Sequence, residues 1–355
     1  MTRDCGRVLQ ISVADQTPHL DEFADDDCEP TRIRTHHGRR IWIPEVCDSY
    51  RARRIDYEVL SDTSHYLPSN SRPVVSSIEA LERYLDTLVT RYEQSDFIEG
   101  DPIEIPHRFD DPRDQEIIGF YAALLAWGRR DVMLRKLGGL CERMGHAPYE
   151  FVRTFDVERD RGALDDFVHR TFQPIDAIWL TKNLRRALNR YGSMESLFAA
   201  HRPDTPTSDS PVKEMLQGVS TTLLTIDDET PDRLRKHLAR PEAGSACKRL
   251  NMYLRWMVRP GPVDFGLWSC VRPAELMVPV DVHVGRQARA LGLLERKSND
   301  WTAVRRLTTI CRTFCPSDPV KYDFAFFGVG AQDDSLDTRF TGDTSLDRSS
   351  LPTPR

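Results

Sequence analysis

Apolar residues recur at helical spacing through most of the chain after residue 75. Ser76-x-x-Glu79 has the pattern of a capping box ahead of the apolar positions Ile78, Leu81 and Leu85. Pro231 and Pro319 stand where first helical residues are expected. Strand-like alternation is nearly absent from 76 to 330, so the pattern predicts an all-α fold. After the first helix, further helices are expected over about 114–127, 131–144, 175–191, 193–201, 211–225, 231–240, 245–258, 282–291, 300–313 and 319–327.

The two ends of the chain lack this periodicity. Residues 1–75 mix acidic and basic clusters and lead into the proline- and serine-rich stretch YLPSNSRPVVSS. We expect this extension to be mostly disordered, with one short strand near RRIWIPEV. The stretch from 332 to 355 is polar and acidic, which predicts a disordered tail. The predicted ordered domain therefore spans residues 76–331.

Length and composition narrow the class of protein. A chain of 355 residues can form one large or two modest domains, and its net charge of −6 does not by itself indicate nucleic acid. No apolar stretch approaches the length of a membrane span, and the start MTRDCGRVLQ lacks the apolar run of a signal peptide. The eight scattered cysteines favour reduced thiols, and Cys311-x-x-x-Cys315 lacks a second pair at metal-binding spacing. We expect a soluble cytoplasmic protein without a membrane partner or metal site.

Between residues 230 and 260 the balance of charge inverts. Only Asp232 and Glu242 are acidic there. Such a surplus of cations suits a phosphate-binding surface, although a solvated amphipathic face has the same pattern. The basic side chains are Arg233, Arg235, Lys236, His237, Arg240, Lys248, Arg249, Arg255 and Arg259.

Two short stretches could carry chemistry. Gly244-Ser245-Ala246 forms a turn of small residues directly before a helix that begins near Lys248, and such a turn lets a phosphate approach the helix start. In VPVDVHVGR, Asp281 precedes another helix. Asp281 could simply be an N-cap and Lys248 a simple phosphate contact. Asp264 in PGPVDFG also follows a Pro-Val pair and serves as the comparison residue.

Four segments, in chain order, resemble the helix-hairpin-helix DNA glycosylases. They are LLAWGRRDVMLRK, GSACKRLNMYL, VPVDVHVGRQARALGLL and, more weakly, DPVKYDFAFFGVG. Residues 76–331 as a whole resemble an uncharacterised bacterial family, a domain of unknown function distantly related to these endonuclease III-like enzymes. The resemblance implies two helical lobes with a cleft near 244–286. The chain would leave one lobe at its start and return to it after Asp281.

The resemblance also implies roles for individual residues. Asp281 falls on the catalytic aspartate and Lys248 on the lyase lysine. Possible pocket residues are Trp127, His283 and Asn251, although packing roles for Trp127 and His283 stay open. The expected partner is duplex DNA with a damaged base, and no cofactor is expected because the four-cysteine iron–sulfur motif is missing. The implied DNA-binding residues are Gly244, Ser245, Ala246, Arg249, Arg129, Arg130 and Arg286, the last of which could instead be a structural partner.

The chemistry of base excision explains these residue types. Cleavage of an N-glycosidic bond builds positive charge on the sugar, which a carboxylate stabilises after the base has left the stack. A neutral lysine amine can attack C1′ and form a Schiff base. The prediction is therefore a base-excision DNA glycosylase, with a β-lyase step through Lys248. The hairpin's two glycines correspond here to Gly244 and Ala246, and Gly128 stands where an inserting glutamine is common. Two alternatives stay open: a non-catalytic nucleic-acid-binding protein, or an enzyme of different chemistry on the same fold.

Overall fold

The computed structural model describes residues 77–205, 210–332 and 334–341, together with the backbone of two short strands. The strands β1 (Thr31–Arg34) and β2 (Arg40–Ile43) pair antiparallel, with Thr31 opposite Ile43. The second strand lies within the RRIWIPEV segment, where a strand was expected. Ser76 and the disorder expected over residues 1–75 and 342–355 lie outside the described residues.

From residue 77 onward the described chain consists of α-helices joined by short 3-10 turns, which confirms the all-α class. Every helix in these ranges is too short or too polar to cross a lipid bilayer. The helices are α1 (Ile78–Tyr92), α2 (Pro112–Leu124), α3 (Arg130–Arg143), α4 (Pro148–Thr154), α5 (Val157–Asp160), α6 (Pro174–Tyr191), α7 (Met194–Ala199), α8 (Val212–Thr225), α9 (Lys248–Val258), α10 (Val282–Ala290), α11 (Trp301–Phe314) and α12 (Tyr322–Ala331).

Several details differ from the helical pattern of the sequence; for example, the last helix begins at Tyr322 after a 3-10 turn and not at Pro319. The cap of α1 is Ser77, one residue later than expected, and its hydroxyl accepts a hydrogen bond from the Ala80 amide. The helix expected over 231–240 is only a 3-10 turn, Asp232–Lys236. The end of the expected helix was out of reach, because Arg240 precedes Pro241 and takes an extended backbone conformation. The short helices α4 and α5 were not predicted.

The packing of the helices forms two groups around one continuous core. In the first group, α12 packs against α1 and α10. In the second, α2 packs against α4 and α9, while α6 packs against α4, α7 and α8. The chain thus begins in the first group, builds the second, and returns to the first after Asp281. The division into two lobes that the sequence resemblance implied stays a prediction.

The chain continues to pack beyond the predicted domain end at residue 331. Phe340 is buried and its ring stacks on Tyr84 at a centroid distance of 4.9 Å. The Tyr92 hydroxyl donates a hydrogen bond of 2.7 Å to Asp334. Residues 334–341 therefore belong to the packed domain and cover one side of α1.

Candidate active site

A cavity of about 290 Å³ lies where the two groups of helices meet. Its walls come from the segments 97–102 and 126–133 and from α9, the start of α10, and α12. The volume is near the lower end of the range for ligand sites, roughly 300–1,000 Å³, so it suits one planar ring system better than a large ligand. Lys248, Asp281, Trp127, Arg130 and His283 all line it.

The Lys248 ammonium projects into this cavity from the first turn of α9. Its Nζ lies 3.7 Å from Asp281 Oδ2 and 3.2 Å from the Met252 sulfur. The ring of Phe327 lies on another side, 5.9 Å from Nζ to its centroid. Asp281 is the only carboxylate of the described residues within ion-pair distance of this ammonium, and 3.7 Å is a long contact. The amine is therefore held in place by packing and stays accessible from the cavity.

The two carboxylate oxygens of Asp281 have different surroundings: one caps a helix and the other faces the cavity. Oδ1 accepts a hydrogen bond of 2.9 Å from the Val284 amide, which makes Asp281 the N-cap of α10. Oδ2 faces Lys248. The Asn299 side chain donates a 2.8 Å hydrogen bond to the backbone carbonyl of Asp281 and so holds the backbone at this position. The capping interpretation is therefore correct, and it leaves the second oxygen directed toward Lys248 and the cavity.

The loop between α2 and α3 forms the opposite wall and is firmly supported. The Trp127 ring lies parallel to the His237 ring, with a centroid distance of 6.1 Å, and the Arg249 guanidinium lies 4.8 Å from its centroid. His169 Nε2 donates a hydrogen bond of 3.1 Å to the Trp127 carbonyl. Trp127 therefore both packs against the protein and lines the cavity.

Two further carboxyl groups line the cavity. Asp323 is 5% exposed and accepts a hydrogen bond from Arg255. Burial raises the pKa of Asp323 to about 6, with the nearby Asp281 charge adding to the effect. Asp101 is 8% exposed, its pKa is also raised by burial, and its Oδ1 accepts a hydrogen bond from the Ile103 amide. The interior of the cavity is therefore rich in carboxyl groups.

His283 lies at the edge of the cavity with its ring orientation fixed. Its Nδ1 donates a hydrogen bond of 2.9 Å to the Gly330 carbonyl. The ring meets Phe327 edge-on at 5.9 Å. Like Trp127, His283 therefore both packs against neighbouring residues and lines the cavity.

Residues 101–332 match the family described as "Protein of unknown function (DUF2400)", which is well over half of the chain. The chain belongs to this family. No curated protein and no solved structure matches it. The DUF2400 region begins at the cavity residue Asp101 and contains α2 to α12, so it includes nearly the whole cavity wall.

Several predicted DNA-binding residues of the DUF2400 domain have other contacts in the structure. Arg249 donates a hydrogen bond of 2.5 Å to the Leu124 carbonyl and supports Trp127 instead of facing solvent. Arg129 is exposed and pairs with Asp131 at 2.8 Å. Arg286 is exposed and lies 3.5 Å from the Gly330 carbonyl, which favours its structural interpretation.

The small-residue turn before α9 is also tied into the fold. Gly244 has a left-handed backbone with φ +78°, and its carbonyl accepts a hydrogen bond of 3.2 Å from the Trp301 amide. Ser245 pairs with Asp300 in an isolated bridge, and Ala246 is buried. Asn251 donates a hydrogen bond of 3.0 Å to the Ala246 carbonyl, so it braces the turn and was wrongly expected in the pocket.

The basic segment 230–260 is largely an internal network of ion pairs. Arg233 binds the buried Asp176 through two hydrogen bonds of 2.7 and 2.8 Å. Arg255 pairs with Asp323 and Asp264, and Arg259 pairs with Glu93, Asp318 and Asp264. The expectation of a broad phosphate-binding surface was therefore wrong for these arginines, because the sequence does not reveal their acidic partners. Asp264, fully buried between Arg255 and Arg259, is a structural residue.

Sequence reasoning missed Asp101, Asp323 and Asn299. Asp323 was inside the DPVKYDFAFFGVG segment but resembled an ordinary first-turn acid, and Asp101 looked like a turn residue before Pro102. Only the folded chain brings both to the cavity. Cys311 is buried in α11, and across the described residues no group of three or more His, Cys, Asp or Glu side chains is placed to hold a metal ion.

Proposed function

We propose that this protein is a DNA glycosylase that removes a damaged base, with Lys248 as the nucleophile and Asp281 as the stabilising carboxylate. The observation that carries this proposal is the 3.7 Å separation of Lys248 Nζ and Asp281 Oδ2 inside a cavity of about 290 Å³. The two residues are distant in sequence and start different helices. Their meeting in one small cavity supports a joint chemical role over two unrelated caps or surface contacts.

The two groups suit cleavage of an N-glycosidic bond. As the bond from C1′ to the base nitrogen breaks, its electron pair leaves with the base, which takes up a proton. The sugar gains positive charge, and in this proposal the Asp281 carboxylate stabilises that charge through Oδ2 in a partly desolvated site. The Lys248 ammonium first gives up a proton to the departing base or to solvent, and the neutral Nζ bonds to C1′. A second proton passes from Nζ to O4′ as the C1′–O4′ bond breaks, which leaves an iminium ion. Loss of a C2′ proton to solvent then expels the 3′ phosphate and breaks the strand.

The experiment is a survey of base excision on defined duplexes. Each labelled duplex carries one altered base, such as uracil, hypoxanthine, 8-oxoguanine, an alkylated purine or an oxidised pyrimidine. After incubation, hot alkali cuts every strand that has lost its base. We expect at least one duplex to be cut by the wild-type protein and not by Asp281→Asn. Binding to these duplexes with no excision of any base would contradict the glycosylase proposal.

A second candidate is an enzyme that acts on a small molecule at the same cavity. It is favoured by one specific observation, the internal pairing of Arg233, Arg255 and Arg259, which removes much of the cationic surface expected for DNA. Such an enzyme would keep a reactive Lys248 and Asp281 but would have little affinity for duplex DNA. Measured DNA binding therefore separates the two candidates before any substrate is known.

A further inference from the structure

A tight turn around Arg170 is fastened to the mouth of the cavity. His169 and Phe172 pair through two backbone hydrogen bonds of 2.9 Å, and Arg170 between them has the left-handed φ of +54°. The Gln173 side chain donates a hydrogen bond of 2.8 Å to the Arg170 carbonyl. His169 also binds the Trp127 carbonyl. The turn therefore holds Arg170 beside the loop that lines the cavity, in a backbone conformation that is costly for a residue with a side chain.

The Arg170 guanidinium fills the space beside Gly128. A Cβ atom on Gly128 would lie 2.6 Å from Arg170 Nη1 and 3.1 Å from its Cδ. Gly128 itself lines the cavity and has the positive φ of +94°. The absence of a side chain at position 128 thus allows an exposed arginine from a different segment to lie at the rim.

The three arginines around Gly128 differ in their partners. Arg129 is paired with Asp131. Arg130 lines the cavity and lies 5.8 Å from the Phe327 ring centroid. Among the described residues, no carboxylate lies within ion-pair distance of either Arg130 or Arg170. Two exposed guanidinium groups at the rim therefore stay available to an external anion.

The balance of charge differs between the interior of the cavity and its rim. Inside, Asp281 pairs with Lys248 and Asp323 with Arg255, and Asp101 adds a third carboxyl group, so no surplus of positive charge is left there for an anion. A nucleotide whose base lies in this small cavity keeps its phosphates outside, because the sugar joins them to the base. Cations at the rim are then the groups that can contact those phosphates.

We propose that Arg170 and Arg130 form a phosphodiester-binding site on the rim, which holds the strand next to the nucleotide whose base occupies the cavity. This inference rests on the proposed function, since it takes a polynucleotide as the ligand. The residue that this proposal adds is Arg170, which lies outside the four segments that resemble the DNA glycosylases.

The test is the salt dependence of binding to a duplex that carries a reduced abasic site. Fluorescence anisotropy gives the binding constant between about 50 and 200 mM salt, and each phosphate contact contributes about −0.9 to the slope of log K against log salt. We expect Arg170→Gln to lower the magnitude of the slope by about 1, and the Arg130→Gln, Arg170→Gln double variant by about 2, whatever the flanking sequence. Arg129→Gln removes an adjacent exposed charge that is already paired, so its slope should stay near that of the wild type.

Each outcome of this test decides for or against the rim site. An unchanged slope in Arg170→Gln, or an equal fall in Arg129→Gln, would overturn it. Arg170→Lys separates the loss of charge from damage to the turn. It keeps the positive charge, so the slope should stay near that of the wild type even if the turn is destabilised. A lower slope together with no base excision would leave the rim site standing and remove only the glycosylase. No DNA binding by the wild-type protein would overturn both.

Discussion

Asp264 and Asp281 both follow a Pro-Val pair in the sequence, yet Asp264 is buried between two arginines while Asp281 lines the cavity. We predict that Asp264→Asn destabilises the protein, while Asp281→Asn leaves it folded but inactive. Both changes replace a carboxylate with an amide of nearly the same shape. The comparison therefore isolates the charge of each residue.

The cost at Asp264 follows from its surroundings. Its side chain is 0% exposed and lies between Arg255 and Arg259, whose side chains are 4% and 6% exposed. Removing one partner from a buried charge network costs about 3–5 kcal/mol, because the remaining guanidinium charges stay buried. For a domain of this size that corresponds to a fall in melting temperature on the order of 10 °C.

The cost at Asp281 should be small, because asparagine caps helices about as well as aspartate. Its Oδ1 can still accept the hydrogen bond from the Val284 amide, so we expect a change in unfolding free energy within about 0.5 kcal/mol. The loss of negative charge beside the developing sugar cation should instead lower the rate of base excision by roughly 10²–10³-fold.

Urea denaturation and thermal melting measure the first effect, and excision of the best substrate measures the second. Asp281→Ala is the additional control, since loss of the cap should cost about 1 kcal/mol. If Asp264→Asn were as stable as the wild type, the account of the buried ion pairs would be wrong. If Asp281→Asn kept full excision, Asp281 would be a helix cap only.

Three further predictions concern stability. Burial raises the pKa of Asp323 to about 6, so its proton stabilises the folded state below about pH 4 and this contribution is lost as pH rises through 6. The unfolding free energy of the wild type minus that of Asp323→Asn should fall by on the order of 3 kcal/mol between these two pH values. A difference that does not change with pH would contradict this prediction. Gly328→Ala should lower stability by about 1–3 kcal/mol because its Cβ would meet the Tyr92 ring at 2.3 Å, whereas Gly139→Ala, with open space, should raise it by about 1 kcal/mol. Removing residues 1–75 should preserve cooperative melting, and removing 333–355 should lower the melting temperature because it uncovers the pocket of Phe340.

The helical pattern was predictable from the sequence because amphipathic periodicity is a local property. The apolar positions of α1, α6 and α11 give the core face directly, and their buried residues follow the expected spacing. The conformation of the stretch 231–240 was harder to predict, since Pro241 limits the helix and the buried Leu234 lies in a 3-10 turn. In the structure Arg233 of this stretch pairs with Asp176, which is far away in sequence and which the local pattern does not reveal.

The candidate site was predictable where a residue has a local signature, such as the start of a helix, or falls in one of the segments that resemble the glycosylases. Lys248 and Asp281 have that kind of local signature, and both line the cavity. Charge alone was misleading for Arg255 and Arg259, because a buried ion pair and a phosphate contact look the same in a sequence. Asp101, Asp323 and Arg170 have no local signature, since their position depends on how the helices and turns pack together.

The most direct test of the account is borohydride trapping on a duplex that carries an abasic site. Attack by Lys248 Nζ would form an iminium ion with C1′, which borohydride reduces to a stable secondary amine. We predict a covalent adduct with the wild-type protein and with Lys236→Gln, an exposed lysine in the same basic segment, and no adduct with Lys248→Gln. Asp281→Asn should still be trapped, because this sugar has already lost its base. An adduct of full yield with Lys248→Gln, or none with a wild-type protein that binds the duplex, would contradict Lys248 as the nucleophile.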